Sequence, residues 1–254
     1  MRSDYIRLPA YYDHLIGEVD YGALAEYLMN ILQRFGCRPQ ILLDLCCGTG
    51  SLLSQLAGRG MELIGVDASP EMLDLAAGKF EALPLEQRPL LLCQDMRELD
   101  LYGTIDAAFC TLDSVNSLRR PGDVIAAFSR VSLFLNPGGI FVFDVNSPYK
   151  FREILANNVF VYDTDEVYCI WQNEFHEKSG LCRFLMTYFT QNGAHYERSD
   201  EIITERVYSR RQLEGYLRKA GLQVLAVYGD QSDAQPGPQE QRLYFVARKE
   251  EQRD

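Results

Sequence analysis

Ile41-Leu42-Leu43-Asp44-Leu45-Cys46-Cys47-Gly48-Thr49-Gly50 is a short, nearly continuous apolar run that ends in a glycine pair. Such a run matches a parallel strand buried on both faces. Gly48 and Gly50 permit a tight turn where backbone can meet a ligand without a Cβ in the way. The helix predicted over residues 51–57 would aim its first N–H groups at the same spot, which favours an anionic group such as a carboxylate.

Working outward, the same unit recurs. Residues 61–66 form a second apolar run, ending in Asp67, and residues 90–93 a third, ending in Gln94-Asp95. Residues 105–110 form a fourth, followed by Leu112-Asp113-Ser114-Val115-Asn116, and residues 140–145 a fifth, after Asn136-Pro137-Gly138-Gly139. Between them the apolar spacing predicts helices over 71–79, capped by Ser69 with Pro70 and Glu71 in the first turn, and over 123–135. A further helix, over 21–35, carries Leu24, Leu28, Ile31, Leu32 and Phe35 on one face and stops at Gly36. Strands alternating with helices predict an α/β fold: a doubly wound, mostly parallel seven-stranded sheet with helices on both faces.

The pattern breaks after residue 156. Residues 159–207 are rich in β-branched and aromatic side chains, with turn signals at Lys178-Ser179-Gly180 and Gln191-Asn192-Gly193. They read as a small antiparallel β insertion. Ser209 then caps a helix over 210–219, and strands over 222–228 and 243–248 complete the sheet. The expected organisation is a core of residues 1–155 and 208–254, with 156–207 as an insertion covering the active site.

Composition narrows the function. The 254 residues carry 25 Lys and Arg against 36 Asp and Glu, a net charge of −11. That sign disfavours nucleic acid, whose affinity for proteins rests on cationic neutralisation of phosphates. No apolar stretch has the length of a membrane span, and the first dozen residues lack the pattern of a signal peptide. The seven cysteines follow no disulfide or zinc spacing and fit a reducing, cytoplasmic setting. None of the histidines His14, His176 and His195 belongs to a metal-ligand pattern, so no metal is expected.

In an open parallel sheet, ligands bind beyond the carboxyl ends of the strands. Four strand ends here carry glycine or polar signatures: 46–50, Asp67, Asp95-Met96 and 112–116. Asp67 is placed to accept hydrogen bonds from a ribose diol. A glycine pair and a following acid point to a nucleoside ligand without choosing between a nicotinamide dinucleotide and S-adenosylmethionine. The dinucleotide fingerprint wants a third small residue where Leu53 stands, so an NAD-dependent oxidoreductase is the less favoured reading.

Residues 42–50 resemble the first motif of the class I S-adenosylmethionine-dependent methyltransferases. Gly65-Val66-Asp67-Ala68-Ser69-Pro70-Glu71-Met72-Leu73-Asp74-Leu75-Ala76 is similar to that superfamily's second-strand segment. Gln94-Asp95-Met96 resembles its adenine-side signature, and Asn136-Pro137-Gly138-Gly139 the turn before its fifth strand. The resemblance implies a Rossmann-like fold and S-adenosylmethionine as cofactor. It also implies a cofactor site built from Asp44, Cys46, Gly48, Gly50, Asp67, Ala68, Met72, Asp95, Met96, Leu112 and Asp113. One residue departs from the pattern, since the family motif usually has glycine where Cys46 stands.

Upstream, Tyr5, Tyr12-Asp13-His14-Leu15 and Asp20-Tyr21 are similar to the N-terminal segment of a bacterial small-molecule subgroup that also carries an antiparallel insertion. In that subgroup such tyrosines lie over the cofactor; Tyr12 and Tyr21 are assigned to it, and Tyr5 to the methyl acceptor. Asn146-Ser147-Pro148-Tyr149 is similar to the Asn-Pro-Pro-Tyr motif of nucleic-acid amino-methyltransferases, but it follows the fifth strand where that motif follows the fourth. It reads as loop chemistry, with Tyr149 within reach of substrate. Asn116 is a further acceptor contact, and His195 a base if the insertion supplies one. The expected activity is methyl transfer to nitrogen or oxygen of a small molecule by in-line displacement. The alternative is an S-adenosylmethionine-binding regulator without turnover, its site marked as decayed by Cys46.

Overall fold

The computed structural model describes residues 8–250; Tyr5 lies outside them. A short helix α1 (Tyr12–Leu15) and a longer α2 (Tyr21–Arg34) precede the first strand. The alternating unit then runs β1 (Ile41–Leu45), α3 (Ser51–Leu56), β2 (Glu62–Asp67), α4 (Pro70–Phe80), β3 (Leu90–Cys93), β4 (Ile105–Cys110), α5 (Pro121–Phe134) and β5 (Leu135–Asn146). After a π-helical turn (Lys150–Leu155) come β6 (Val159–Asp163), β7 (Tyr168–His176), β8 (Leu181–Asn192) and β9 (His195–Arg206). Helix α6 (Arg210–Lys219), β10 (Leu222–Tyr228) and β11 (Arg242–Lys249) end the chain.

Seven strands form one sheet in the order β10-β11-β5-β4-β1-β2-β3. The five from β3 to β5 run parallel, and β11 lies antiparallel between β5 and β10. This is the Rossmann-like, mostly parallel sheet the apolar runs predict. The chain leaves β1 toward β2 on one side and returns to β4 on the other, so β1 and β4 flank the crevice where strand order reverses.

Each face of the sheet has its own core. Leu24, Leu28 and Leu32 of α2, Leu52, Leu53 and Leu56 of α3, and Leu73, Ala76 and Phe80 of α4 cover one. Val124, Phe128 and Val131 of α5 and Leu213 and Leu217 of α6 cover the other. A fully buried leucine stabilises the fold by roughly 1.5–3 kcal/mol, so these stripes decide which way each helix faces. The caps also follow the sequence. The Ser69 hydroxyl accepts the Met72 N–H at 3.2 Å, and Ser209 with Gln212 forms a reciprocal capping box.

The remaining strands form a separate antiparallel sheet, β6-β7-β8-β9. Along β8, Cys182, Phe184, Met186 and Tyr188 alternate inward, onto a third core shared with Leu8, Phe151 and Leu155. Among the described residues, no helix is long and apolar enough to cross a membrane. All seven cysteines are free thiols.

Candidate active site

A cavity of about 830 Å³ opens between the carboxyl edge of the seven-stranded sheet and the inner face of the antiparallel one. Its floor includes Cys46, Gly48, Asp67, Ala68, Met72, Asp95, Met96, Leu112 and Asp113. Tyr162, Trp171, Phe184, Met186 and Ile203 roof it, and Tyr12 and Leu15 close one side.

The loop after β1 explains its own sequence. Cys46, Gly48 and Gly50 all sit in the left-handed region, at φ of 63°, 52° and 72°. Glycine adopts this geometry without strain, which accounts for the glycine that family motifs carry where Cys46 stands. The Cys46 side chain is partly buried against Cys110 and forms part of the cavity wall. A Cβ on Gly48 would approach only the Tyr12 ring, at 3.9 Å, so this glycine faces the cavity. A Cβ on Gly50 would instead meet Ala76 and Phe80 of α4, each at 3.0 Å. Gly50 therefore serves helix packing and does not line the cavity.

The Asp67 carboxylate ties this loop to the end of β2. One oxygen accepts the Gly48 N–H and the other the Ser69 N–H, both at 2.9 Å. Burial raises the Asp67 carboxyl above the usual range, against these hydrogen bonds. Asp44 lies beneath the loop, 2% exposed and outside the cavity wall; burial and the Asp67 charge push it up to about 8. Asp95 holds Arg97, its Oδ1 accepting the Arg97 backbone N–H at 2.9 Å and Nε at 2.8 Å, and this lowers the carboxyl.

The N-terminal segment is latched across the site. Asp13 accepts the Thr49 hydroxyl at 2.6 Å and the Lys79 ammonium at 2.6 Å, fixing α1 to the glycine loop and α4. At its other end, the Leu8 N–H donates to Glu201 of β9 at 3.0 Å, and the Tyr11 ring packs on Tyr188.

Beside Leu112 the floor becomes charged. Asp144, on β5, accepts the N–H groups of Leu112 at 2.7 Å and Asp113 at 3.0 Å. Arg242 from β11 donates to Asp144 and, at 2.8 Å, to Asp113. Glu205, on β9, adjoins Asp113 and accepts from the Asn146 amide at 3.5 Å. Lys150 completes this group from the π-helical turn, and Asp113, Asn146, Lys150, Glu205 and Arg242 all line the cavity.

Beyond Gly50 and Asp44, four sequence assignments meet a different geometry. Asn116 is fully buried: its Oδ1 accepts the Asn146 N–H at 2.9 Å and its Nδ2 donates to the Arg206 carbonyl at 2.8 Å. Its amide joins the two sheets, which removes it from the cavity wall and from acceptor contact. His195 lies exposed at the β8–β9 hairpin, paired with Asn192, at the opposite end of β9 from Glu205. It is not in the wall either, so it is not placed to act as a base there. Tyr149 precedes the π-helical turn without lining the cavity, and Tyr21, the first residue of α2, packs against the core on that face of the sheet and does not line the cavity.

Sequence reading passed over the Asp144–Arg242 pair and the Lys150 and Glu205 side chains. Its one available signal was an aspartate inside the apolar run Phe141-Val142-Phe143-Asp144-Val145. Leu53, which breaks the dinucleotide fingerprint, is accommodated because Gly65 lies opposite it. A Cβ at position 65 would come within 2.7 Å of Leu53 Cδ1.

The residues present fit S-adenosylmethionine. A glycine with no obstructing Cβ, a carboxylate at the end of β2 and a second one at Asp95 face one large cavity. Residues 42–139 match the family model described as a methyltransferase domain. The chain is 34% identical to the Bacillus subtilis protein YqeM, named as a methyltransferase, over 94% of each chain. It superposes on the crystal structure of an S-adenosylmethionine-dependent methyltransferase from Clostridium acetobutylicum with a TM-score of 0.86. That protein is 32% identical, and the match covers 95% of this chain and 97% of that one. It is also 25% identical to a Streptomyces fradiae dTDP-3-amino-3,6-dideoxy-alpha-D-glucopyranose N,N-dimethyltransferase, over 81% of this chain and 78% of that one. Motifs, sheet order and relatives agree, and the chain belongs to the class I S-adenosylmethionine-dependent methyltransferases.

Proposed function

We propose that this protein methylates an amine nitrogen of a small molecule held between the two sheets. The observation that carries the reading is the cavity itself. Its floor is made by the loops after β1, β2 and β3, its roof is aromatic and apolar, and one wall gathers Asp113, Lys150, Glu205 and Arg242. When bound, S-adenosylmethionine supplies an electrophilic methyl group on a cationic sulphur, and transfer is an in-line displacement.

Gly48, Asp67, Ala68, Met72, Asp95, Met96 and Leu112 would hold the cofactor, with Asp67 toward the ribose and Tyr12 over it. Asp13, Thr49 and Lys79 would keep the N-terminal segment closed on the loop. The apolar roof would exclude water and strip the nucleophile of its hydration. A neutral amine needs little beyond that and alignment about 3–3.5 Å from the methyl carbon. The volume suits a small acceptor beside the cofactor better than a polymer, and the net charge of −11 weighs against nucleic acid. The amino-sugar dimethyltransferase from Streptomyces fradiae lends support for nitrogen as the methylated atom.

The test is turnover with methyl-labelled S-adenosylmethionine against a panel of amino sugars, sugar-nucleotide amines and amino acids, read by mass spectrometry. The expected result is a labelled amine with matching S-adenosylhomocysteine. Label found on oxygen would replace nitrogen as the target. Cofactor binding without transfer to any panel member would favour the regulator without turnover.

A further inference from the structure

Five charged or polar side chains from five separate segments meet on one wall of the cavity. They are Asp113 from the loop after β4, Asn146 from the end of β5, Lys150 from the π-helical turn, Glu205 from β9 and Arg242 from β11. Buried ionisable groups are costly unless paired, so a cluster of this kind needs an account. Arg242 meets Asp113 and Asp144 together, and the Asp144 carboxylate also receives two backbone N–H groups. Those three residues explain one another. Lys150, Glu205 and Asn146 remain.

Glu205 is 5% exposed, and among described residues its hydrogen-bond partners are the 3.5 Å Asn146 amide and the neighbouring Asp113 carboxyl. Asn146 is 3% exposed, and its Oδ1 has no hydrogen-bond partner among the described residues. A buried amide oxygen without a donor is costly. Here it lies in the wall of a ligand-sized cavity, beside a carboxyl group. The missing partner is a hydrogen-bond donor, a role that an amine N–H can fill.

We propose that Asn146 and Glu205 form the subsite for the acceptor nitrogen, and that Glu205 takes the proton this nitrogen loses on methylation. The inference rests on the amine reading above and deepens it. The acceptor lone pair forms the new nitrogen–carbon bond as the carbon–sulphur bond breaks, and its electrons stay on sulphur. The positive charge passes from sulphur to nitrogen. One N–H proton then moves to the Glu205 carboxylate, leaving a neutral methylated amine.

Charge balance suits that step. With Asp113 and Asp144 ionised against Arg242, and one proton between Lys150 and Glu205, the wall carries one net negative charge. The wall is thus anionic when it faces the cationic donor, and neutral once it holds the released proton. Burial raises Glu205 well above the usual carboxylate range, as do the charge and hydrogen bond of Asp113, while Asn146 and Lys150 oppose the rise. Burial and Arg242 lower Lys150, against Asp113, Glu205 and Asp144. Cys182, paired with Glu205 across β8–β9, is itself pushed up to about 12 by burial and stays a neutral thiol.

Two readouts test this. The first is carboxyl-carbon NMR of the cofactor-free protein labelled at glutamate, with Glu205 assigned by its loss in Glu205→Gln. The Glu205 signal should titrate well above the ordinary carboxylate range, and Lys150→Met should move it higher still, because a cation that favours the ionised form is gone. Titration in the ordinary range would overturn the proposal.

The second is the pH profile of kcat/KM for an amine that the wild type methylates. Glu205→Gln should lower kcat by about 10²-fold or more, with calorimetric affinity for S-adenosylmethionine unchanged. In Lys150→Met, which also serves should Glu205→Gln fail to fold, the acid limb should move to higher pH. A wild-type rate and profile in Glu205→Gln would overturn the proposal while the amine reading stands. A wild type that methylates no amine would overturn both.

Discussion

Asp67 and Gly48 are joined by a 2.9 Å hydrogen bond from the glycine N–H to the carboxylate, which ties the end of β2 to the turn after β1. Both residues line the part of the cavity proposed to take S-adenosylmethionine. A single side chain thus holds the loop in shape and offers its remaining lone pairs to the cavity. Asp67→Ala should weaken S-adenosylmethionine binding by roughly 1.5–3 kcal/mol, or about 10- to 150-fold in Kd. Calorimetric titration checks this, and an unchanged Kd would remove Asp67 from the cofactor site.

Asp44 should make the stability of the protein pH-dependent. Its carboxyl is pushed up to about 8 in the fold, against an ordinary value near 3.9 in the unfolded chain. Between these values the folded state holds a proton that the unfolded chain has released. Stability therefore falls as pH rises through the window and levels off above about 8. The loss from this group is at most about 1.4 kcal/mol per pH unit. Asp44→Asn carries no titrating group at the site, so urea denaturation at several pH values between 5 and 8 should show wild type losing stability relative to the variant. Parallel curves would show that Asp44 is ionised in the fold throughout.

How far the sequence could be read is clearest from Asn116. The parallel strands were legible because their apolar runs are short, unbroken and end in glycine or acid, and the helices because their stripes recur at helical spacing. The floor of the cavity was legible for the same reason, since its residues lie at strand ends that the topology must bring together. The wall was not. Asp144 and Arg242 meet only because β11 runs antiparallel beside β5, and Asn116 reaches Arg206 only because β9 returns over the core. Contacts between residues about 90 positions apart leave no local signature. A polar side chain after a strand looks the same in sequence whether it faces a ligand or a neighbouring backbone.

Asn116→Ala should therefore act on stability. It leaves the Asn146 N–H and the Arg206 carbonyl without partners, and each buried orphan costs roughly 1–3 kcal/mol. A total loss of about 2–6 kcal/mol is expected in urea denaturation, with the affinity for S-adenosylmethionine retained. A variant of wild-type stability that has lost acceptor turnover would return Asn116 to the substrate site.

Trp171 tests the roof. It lies on β7 between the Phe160, Tyr162 and Phe184 rings, with centroids 5.6, 6.2 and 5.1 Å away, and it lines the cavity. Its indole Nε1 is buried without a hydrogen-bond partner among the described residues, whereas buried indoles ordinarily find one. Trp171→Ala removes a large apolar surface and that donor while leaving the glycine loop and Asp67 untouched. For an amine substrate, KM should rise by roughly 10- to 100-fold, the loss expected for one large pocket contact. The KM for S-adenosylmethionine should stay near wild type. Equal losses in both constants would mean that the antiparallel sheet shapes the cofactor half as well, and a change in neither would move the acceptor away from the roof.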